Sequence, residues 1–258
     1  MSDWKPTEYL KFEKERTQPS IDLVARINHN NPKRIIDIGC GPGNSTNIVR
    51  SRWRDAEIIG LDSSAAMINK AKENFPEMKW HRADATGDLS ALGKFDIVFS
   101  NAAIQWLPNQ ETLLPKLFGM LNKDGVLAVQ VPYTKEMPLC TELIKLISGE
   151  KWKSHFADFT EGFLKLPSDF YYNILTNLTD DLALWETRYF HVMNTHSDIV
   201  SWYRGSGLRI YLDCIKDESL KADFLNDYEA ALKSAYPAQS DGKILFPFTR
   251  IFFIARHQ

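Results

Sequence analysis

The sequence predicts an α/β fold of the doubly wound kind, a mostly parallel sheet with helices on both faces. Three observations predict it. Between Lys33 and Val131 short β-branched and apolar runs alternate with longer amphipathic stretches, the pattern of strands joined by helical crossovers. Gly39, Gly41 and Gly43 crowd the first place where a strand hands over to a helix, and an acid stands in or just after each of the first three strands: Asp37, Asp62 and Asp84. In an open parallel sheet that edge is where ligands bind.

The elements follow in order. RIIDI at 34–38 is the first strand, and Asn44 or Ser45 is the expected cap of the helix behind it. EIIGL at 57–61 is the second, with Ser63 or Ser64 capping the helix AAMINKAKENF. MKWHR at 78–82, FDIVFS at 95–100 and GVLAVQV at 125–131 complete five strands, joined by right-handed crossovers that place helices on both faces. Beyond Pro132 the rhythm changes to helical stretches at 138–148 and 217–235, aromatic-rich connections and two further strand-like runs, LALWETRYFHV at 182–192 and KILFPFTRIFFIA at 243–255. Pro247 cannot donate to a ladder, so a bulge or break is expected there. Residues 1–258 read as one domain with its binding core at 30–132.

Composition narrows the function. With 44% hydrophobic and 25% charged residues the chain has the means to bury a core, and its net charge of −2 with scattered basic residues argues against a nucleic-acid partner. No stretch approaches the roughly twenty apolar residues of a membrane span, and the start carries no secretory pattern, so the expected location is cytoplasmic. Cys40, Cys140 and Cys214 are far apart, which fits a reducing compartment and points to no metal site. No protein partner is predicted.

The glycine-rich corner DIGCGPGN is the first candidate site. Glycine there supplies positive φ or lets a ligand lie against bare backbone, and the helix opening at Asn44 offers free N–H groups to a carboxylate. The spacing departs from the dinucleotide fingerprint, since Asn44 stands where a third glycine belongs, which weakens a nicotinamide reading. Asp62 lies where a ribose-binding carboxylate falls in this topology, and Asp84 can accept from the exocyclic amine of an adenine. A tight turn that binds nothing, and helix caps or solvated loop acids, remain the competing accounts. A dinucleotide dehydrogenase and a non-catalytic binding module stay open as well.

DIGCGPGN, Asp62, Asp84 and FSNAAIQWLPN together resemble the class I S-adenosylmethionine-dependent methyltransferases over roughly residues 30–132. MSDWKPTEYLKFEKERTQPS, GCGPGNST, LDSSAAMI, NAAIQWLP, GVLAVQVP, SGLR and FPFTRIFFIAR extend the resemblance end to end, to the members that methylate trans-aconitate. It implies a Rossmann-like sheet of seven strands with the last inserted antiparallel, and a helical cover from residues 1–29, 135–180 and 195–240. It also implies S-adenosyl-L-methionine as cofactor and a small tricarboxylate as acceptor. Carried over by residue, Asp37, Gly39, Gly41 and Gly43, with Asn44, surround the methionine moiety. Asp62 and Ser63 take the ribose, and Met67, Asp84 and Ala85 the adenine. Ala102, Gln105 and Trp106 match the motif after the fourth strand.

The chemistry asks little more. A sulfonium methyl is already activated, and a carboxylate acceptor, with a pKa of about 4, is ionised without a general base. No histidine falls in a base or metal motif, and His191 reads as an ordinary strand residue, so no catalytic residue or metal is assigned. Holding a tricarboxylate calls for local cations, and arginine forks suit carboxylates best. Arg209, beside the glycine-broken RGSGLR, and Arg250, in the final strand, are the expected clamp, each also open to an ordinary surface or ion-paired role. Trp202, Arg204 and Tyr211 are further acceptor candidates. In SDFYYNIL the aromatics are expected to pack. The start DWKPTEYLKFEKER reads equally as a lid that brings Tyr9 and Arg16 to the cofactor or as a packed helix. Another small acid, an amine or a phenol remains open as acceptor.

Overall fold

The computed structural model describes residues 13–258, with side chains from Arg16 onward. The chain divides into two compact units, each treated on its own below.

The sheet unit comprises Glu13–Pro132, Leu166–Thr187 and Arg250–Gln258. Helix α1 (Glu13–Arg26) precedes β1 (Arg34–Ile38), α2 (Asn44–Arg52), β2 (Glu57–Asp62), α3 (Ala65–Asn74), β3 (Lys79–Arg82), β4 (Phe95–Asn101), α4 (Gln110–Phe118) and β5 (Leu121–Pro132). Helix α6 (Ser168–Leu175) also belongs here. The seven-stranded sheet has the order β3-β2-β1-β4-β5-β7-β6, in which β6 (Leu182–Met193) and β7 (Ile244–Arg256) are the two late strands. Strands β1 to β5 run parallel, whereas β7 pairs antiparallel with β5 from Val126↔Arg256 to Pro132↔Arg250.

Hydrophobic content explains the inner strands. Ile35, Ile36, Ile38, Ile97, Val98, Phe99 and Val126 to Val129 are fully or almost fully buried, the continuous apolar run of strands covered on both faces. The mouth of β1 is pinned by Asp96, whose Oδ2 accepts the backbone N–H groups of Lys33 and Arg34 at 2.6 and 3.0 Å. Tyr171 of α6 packs on Phe253 with ring centroids 5.3 Å apart, the packing role expected for SDFYYNIL.

Three expectations change. Helix α2 is capped by Gly43 at φ 96°, not by Asn44 or Ser45, because the chain enters the helix through a left-handed residue. Strand β5 begins at Leu121, four residues before the expected start, with a register shift between Phe95 and Ile97 of its neighbour and Asp124 at φ 62°. Strand β7 runs unbroken through Pro247. Its ladder to β5 starts at Arg250, so the missing N–H of Pro247 removes no bond from that ladder. Ser64 does cap α3, accepting the Met67 N–H at 3.3 Å.

The helical unit comprises Tyr133–Lys165 and Arg188–Thr249 among the described residues. It holds α5 (Pro138–Ser148), α7 (His196–Arg204), α8 (Arg209–Leu212) and α9 (Glu218–Ala235). Trp152, Trp202, Tyr211, Phe224, Tyr228 and Phe246 fill its core. The hydroxyls buried with those rings find partners: Tyr228 donates to the Leu139 carbonyl, and Tyr236 accepts the Leu139 N–H at 2.9 Å. A capping box formed by Thr195 and Asp198 starts α7, and Asp217 caps α9.

Candidate active site

The three glycines of the turn after β1 serve three different ends. All have positive φ: 73° at Gly39, 55° at Gly41 and 96° at Gly43. A Cβ on Gly39 would lie 2.2 Å from the Ala103 Cβ, and one on Gly43 would lie 2.7 Å from Phe75 and 2.8 Å from Trp80. A Cβ on Gly41 would meet nothing within 4 Å. Gly39 thus lets β1 and the β4 turn close on each other, Gly43 seats the start of α2 against two rings, and Gly41 presents backbone to open space. Gly43→Ala should therefore cost about 2–4 kcal/mol of unfolding free energy, read from the denaturation midpoint, because overpacking adds to the left-handed penalty. Gly41→Ala should cost only about 1–2 kcal/mol, and its larger effect should be on cofactor affinity.

Asp62 organises this turn. Its Oδ2 accepts the Gly41 N–H at 3.0 Å and its Oδ1 accepts the Ser64 N–H at 2.8 Å. These bonds orient the half-buried carboxylate at the end of β2. Ser63 beside it is exposed, and Met67 is buried one turn into α3.

Asp37, fully buried on β1, accepts from the hydroxyls of Ser45 and Thr46, both at 2.7 Å, through Oδ2 alone. Its Oδ1 is buried without a hydrogen-bond partner. Burial pushes the carboxyl up to about 6; the Thr46 and Ser45 hydroxyls pull it down, and the Asp62 charge pushes it further up. The folded protein thus holds this proton more tightly than the unfolded chain does. The resulting stability is complete below about pH 4 and is lost as pH rises through about 6. Without ligand, Asp37→Asn should remove that part of the pH dependence between 4 and 7, which a series of melting curves would read. An unchanged slope would place the proton elsewhere.

Asp84 is exposed, and its Oδ1 accepts both the N–H and the hydroxyl of Thr86 at 2.8 Å, bonds that hold its carboxyl below the usual range. It closes a turn, and Ala85 behind it is buried. After β4, Ala102 at φ 54° donates its N–H to the Gln130 carbonyl at 2.9 Å and accepts from Gln105 Nε2 at 2.6 Å. Gln105 is buried with Oε1 unpartnered, and Trp106 ends the same short 3-10 turn half-buried.

Arg250 is 4% exposed and its Nη1 donates to Gln130 Oε1 at 3.2 Å. The sheet unit therefore brings Asp37, the glycine turn, Asp62, the β4 turn and Arg250 to the C-terminal ends of β1, β2, β4 and β5. Arg16, in α1, is also buried, whereas Tyr9 and most of the expected lid lie outside the described residues. The other acceptor candidates belong to the helical unit. Trp202 is 2% exposed beneath the His191 ring at 4.6 Å, and Tyr211 donates its hydroxyl to Glu161 at 2.7 Å. Both belong to the core of that unit. Arg204 is exposed and Arg209, half-buried, opens α8.

Ser45, Thr46 and Gln130 were missed in sequence. The hydroxyls stand eight and nine residues after Asp37, the distance that brings the first turn of a helix back over the strand before it. Gln130 is the one polar residue in the apolar run GVLAVQV. Among the described residues no group of three potential ligands could hold a metal ion.

An unpartnered buried carboxylate oxygen on Asp37 suits an ammonium, and the open face of Gly41 admits a ligand against backbone. A methyltransferase-domain family model matches residues 35–125. The chain is 41% identical to the trans-aconitate 2-methyltransferase of Methylobacterium nodulans over 99% of each chain. It is 40% identical to the enzyme of the same name from Azoarcus, again over 99% of both. The crystal structure of the YcgJ protein from Bacillus subtilis superposes with a TM-score of 0.63 at 15% identity, over 93% of this chain and 99% of that one, which shows a shared fold. Identity of this order along the whole length, on a site built in this way, shows that the chain belongs to the trans-aconitate 2-methyltransferase family and is a methyltransferase.

Proposed function

We propose that the enzyme transfers a methyl group from S-adenosylmethionine to one carboxylate of trans-aconitate, giving a monomethyl ester by in-line displacement without a general base. The observation that carries the acceptor reading is Arg250: a buried guanidinium at the ligand-bearing edge of the sheet, in a chain whose full-length relatives are named for a tricarboxylate. When bound, S-adenosylmethionine supplies a methyl already activated by its sulfonium. The chain's own residues bind, orient and exclude water. Asp37, Gly39, Gly41 and Asn44 take the amino-acid end, with Gly43 holding α2 in place for them. Asp62 and Ser63 take the ribose, Met67, Asp84 and Ala85 the adenine, and Ala102, Gln105 and Trp106 complete the cofactor site. Tyr9 and Arg16 are assigned to the same ligand. Arg250 holds a carboxylate that does not react, since tight pairing lowers an oxygen's nucleophilicity.

The test is incubation with donor labelled in its methyl group and a panel of di- and tricarboxylates, amines and phenols, followed by mass analysis of the product. A labelled ester of trans-aconitate, formed faster than any other product, is the expected result. Label on an amine or phenol alone would overturn the acceptor assignment.

A further inference from the structure

The side chain of Gln130 is fully buried and its amide is half satisfied. Its Oε1 accepts from Arg250 Nη1, and because a guanidinium only donates, that contact fixes the amide's orientation. Nε2 therefore points away from the arginine, and it has no hydrogen-bond partner. Strand register sets Asn101, Gln130 and Phe252 side by side on one face of the sheet, and Arg250, two residues before Phe252, lies on that face as well. The aromatic side is closed by Trp185, stacked on Phe252 with ring centroids 5.1 Å apart and planes within 7°.

A desolvated amide donor left unpaired is costly and rare in native structures. Arg250 needs an acceptor from this position, and an amide supplies one while adding a donor that nothing in the packing uses. A glutamate would have placed a full charge against Nη1, yet the position carries the neutral isostere. Each of these features is accounted for if the missing acceptor arrives with the substrate.

We propose that Gln130 is a substrate-binding and specificity-determining residue: its Nε2 donates to the same acceptor carboxylate that Arg250 binds, while its Oε1 sets the plane of the guanidinium. Keeping that neighbour neutral sets no carboxylate of the chain against Nη1 from this position. This inference rests on the carboxylate-acceptor reading above and adds to it the residue that recognises the anion.

Gln130→Glu tests the neutral neighbour of Arg250, and Gln130→Met with the amide signal below tests the Nε2 donor itself. As a substrate donor, its replacement by a competing carboxylate should lower kcat/KM for trans-aconitate by about a hundredfold or more, chiefly through KM. The melting temperature should not fall, and S-adenosylhomocysteine affinity should stay within about twofold. Gln130→Met should lower kcat/KM by about tenfold, again through KM. In the wild-type S-adenosylhomocysteine complex, the Gln130 side-chain amide signal should shift on adding trans-aconitate, a readout that needs no variant. Wild-type kcat/KM in both variants, or an amide signal that does not move, would overturn the role of Gln130 while the acceptor reading stands. A parallel loss of S-adenosylhomocysteine affinity would also overturn it, by placing the residue at the cofactor. A wild-type enzyme that makes no ester would remove both.

Discussion

Replacing Asp62 by alanine should weaken S-adenosylhomocysteine binding by about 2–4 kcal/mol, roughly thirtyfold to several hundredfold in affinity. Two losses combine. The ligand hydroxyls lose a charged acceptor, and the Gly41 and Ser64 N–H groups lose the oxygens that hold the turn and the start of α3 in register. Acceptor preference among methyl products should not change. Asn at the same position keeps one oxygen and should recover part of the affinity, since it can still accept from one of the two N–H groups. Calorimetry on the three proteins would decide the matter; equal affinities would mean that Asp62 only shapes the turn.

The second large effect belongs to Arg250. Arg250→Met should reduce kcat/KM for trans-aconitate by about tenfold to several hundredfold, corresponding to roughly 1.5–3 kcal/mol for a charged contact. Cofactor affinity should remain near wild type, because the residue sits at the β5 end of the edge and not at the glycine turn. Lysine should restore attraction but only part of the rate, since an ammonium lacks the planar fork and cannot share Gln130 in the same way. Monocarboxylates should suffer less from either change. Steady-state kinetics with tri- and monocarboxylates measures this, and equal losses for both would point to general destabilisation of the sheet edge.

What was legible in the sequence divides by range of interaction. The parallel strands and the acids at their ends were readable because each rests on a local pattern: a short apolar run followed by a ligand-type residue. The antiparallel insertion of β7 came only through resemblance, since nothing in KILFPFTRIFFIA states which strand it will join. Gly43 shows the limit well. It reads as ligand-facing by its place in the motif, yet its missing Cβ makes room for Phe75 and Trp80, more than thirty residues away. Asp37 was visible as an acid, but its raised pKa depends on complete burial and on Ser45 and Thr46, neither of which periodicity reveals. For Trp202 and Tyr211 the sequence showed no neighbours: His191 and Glu161 are distant in the chain and meet them only once the helical unit has closed around its core.

The position of β7 also orders events in time. Strand β5 is flanked on one side by β4, which is made before it, and on the other by β7, whose pairing residues begin at Arg250. While a ribosome is still making the intervening segment, one edge of β5 carries open N–H and C=O groups along an apolar strand, a template for mispairing with another nascent chain. Ile251, Phe252, Phe253 and Ala255 are buried in the completed sheet, so their burial waits for β7. The same pairing brings Arg250 to Gln130. A nascent chain stalled before residue 250 would hold the glycine turn and Asp62 but not Arg250. It would carry the β1 and β2 ends of the ligand-bearing edge without its buried guanidinium.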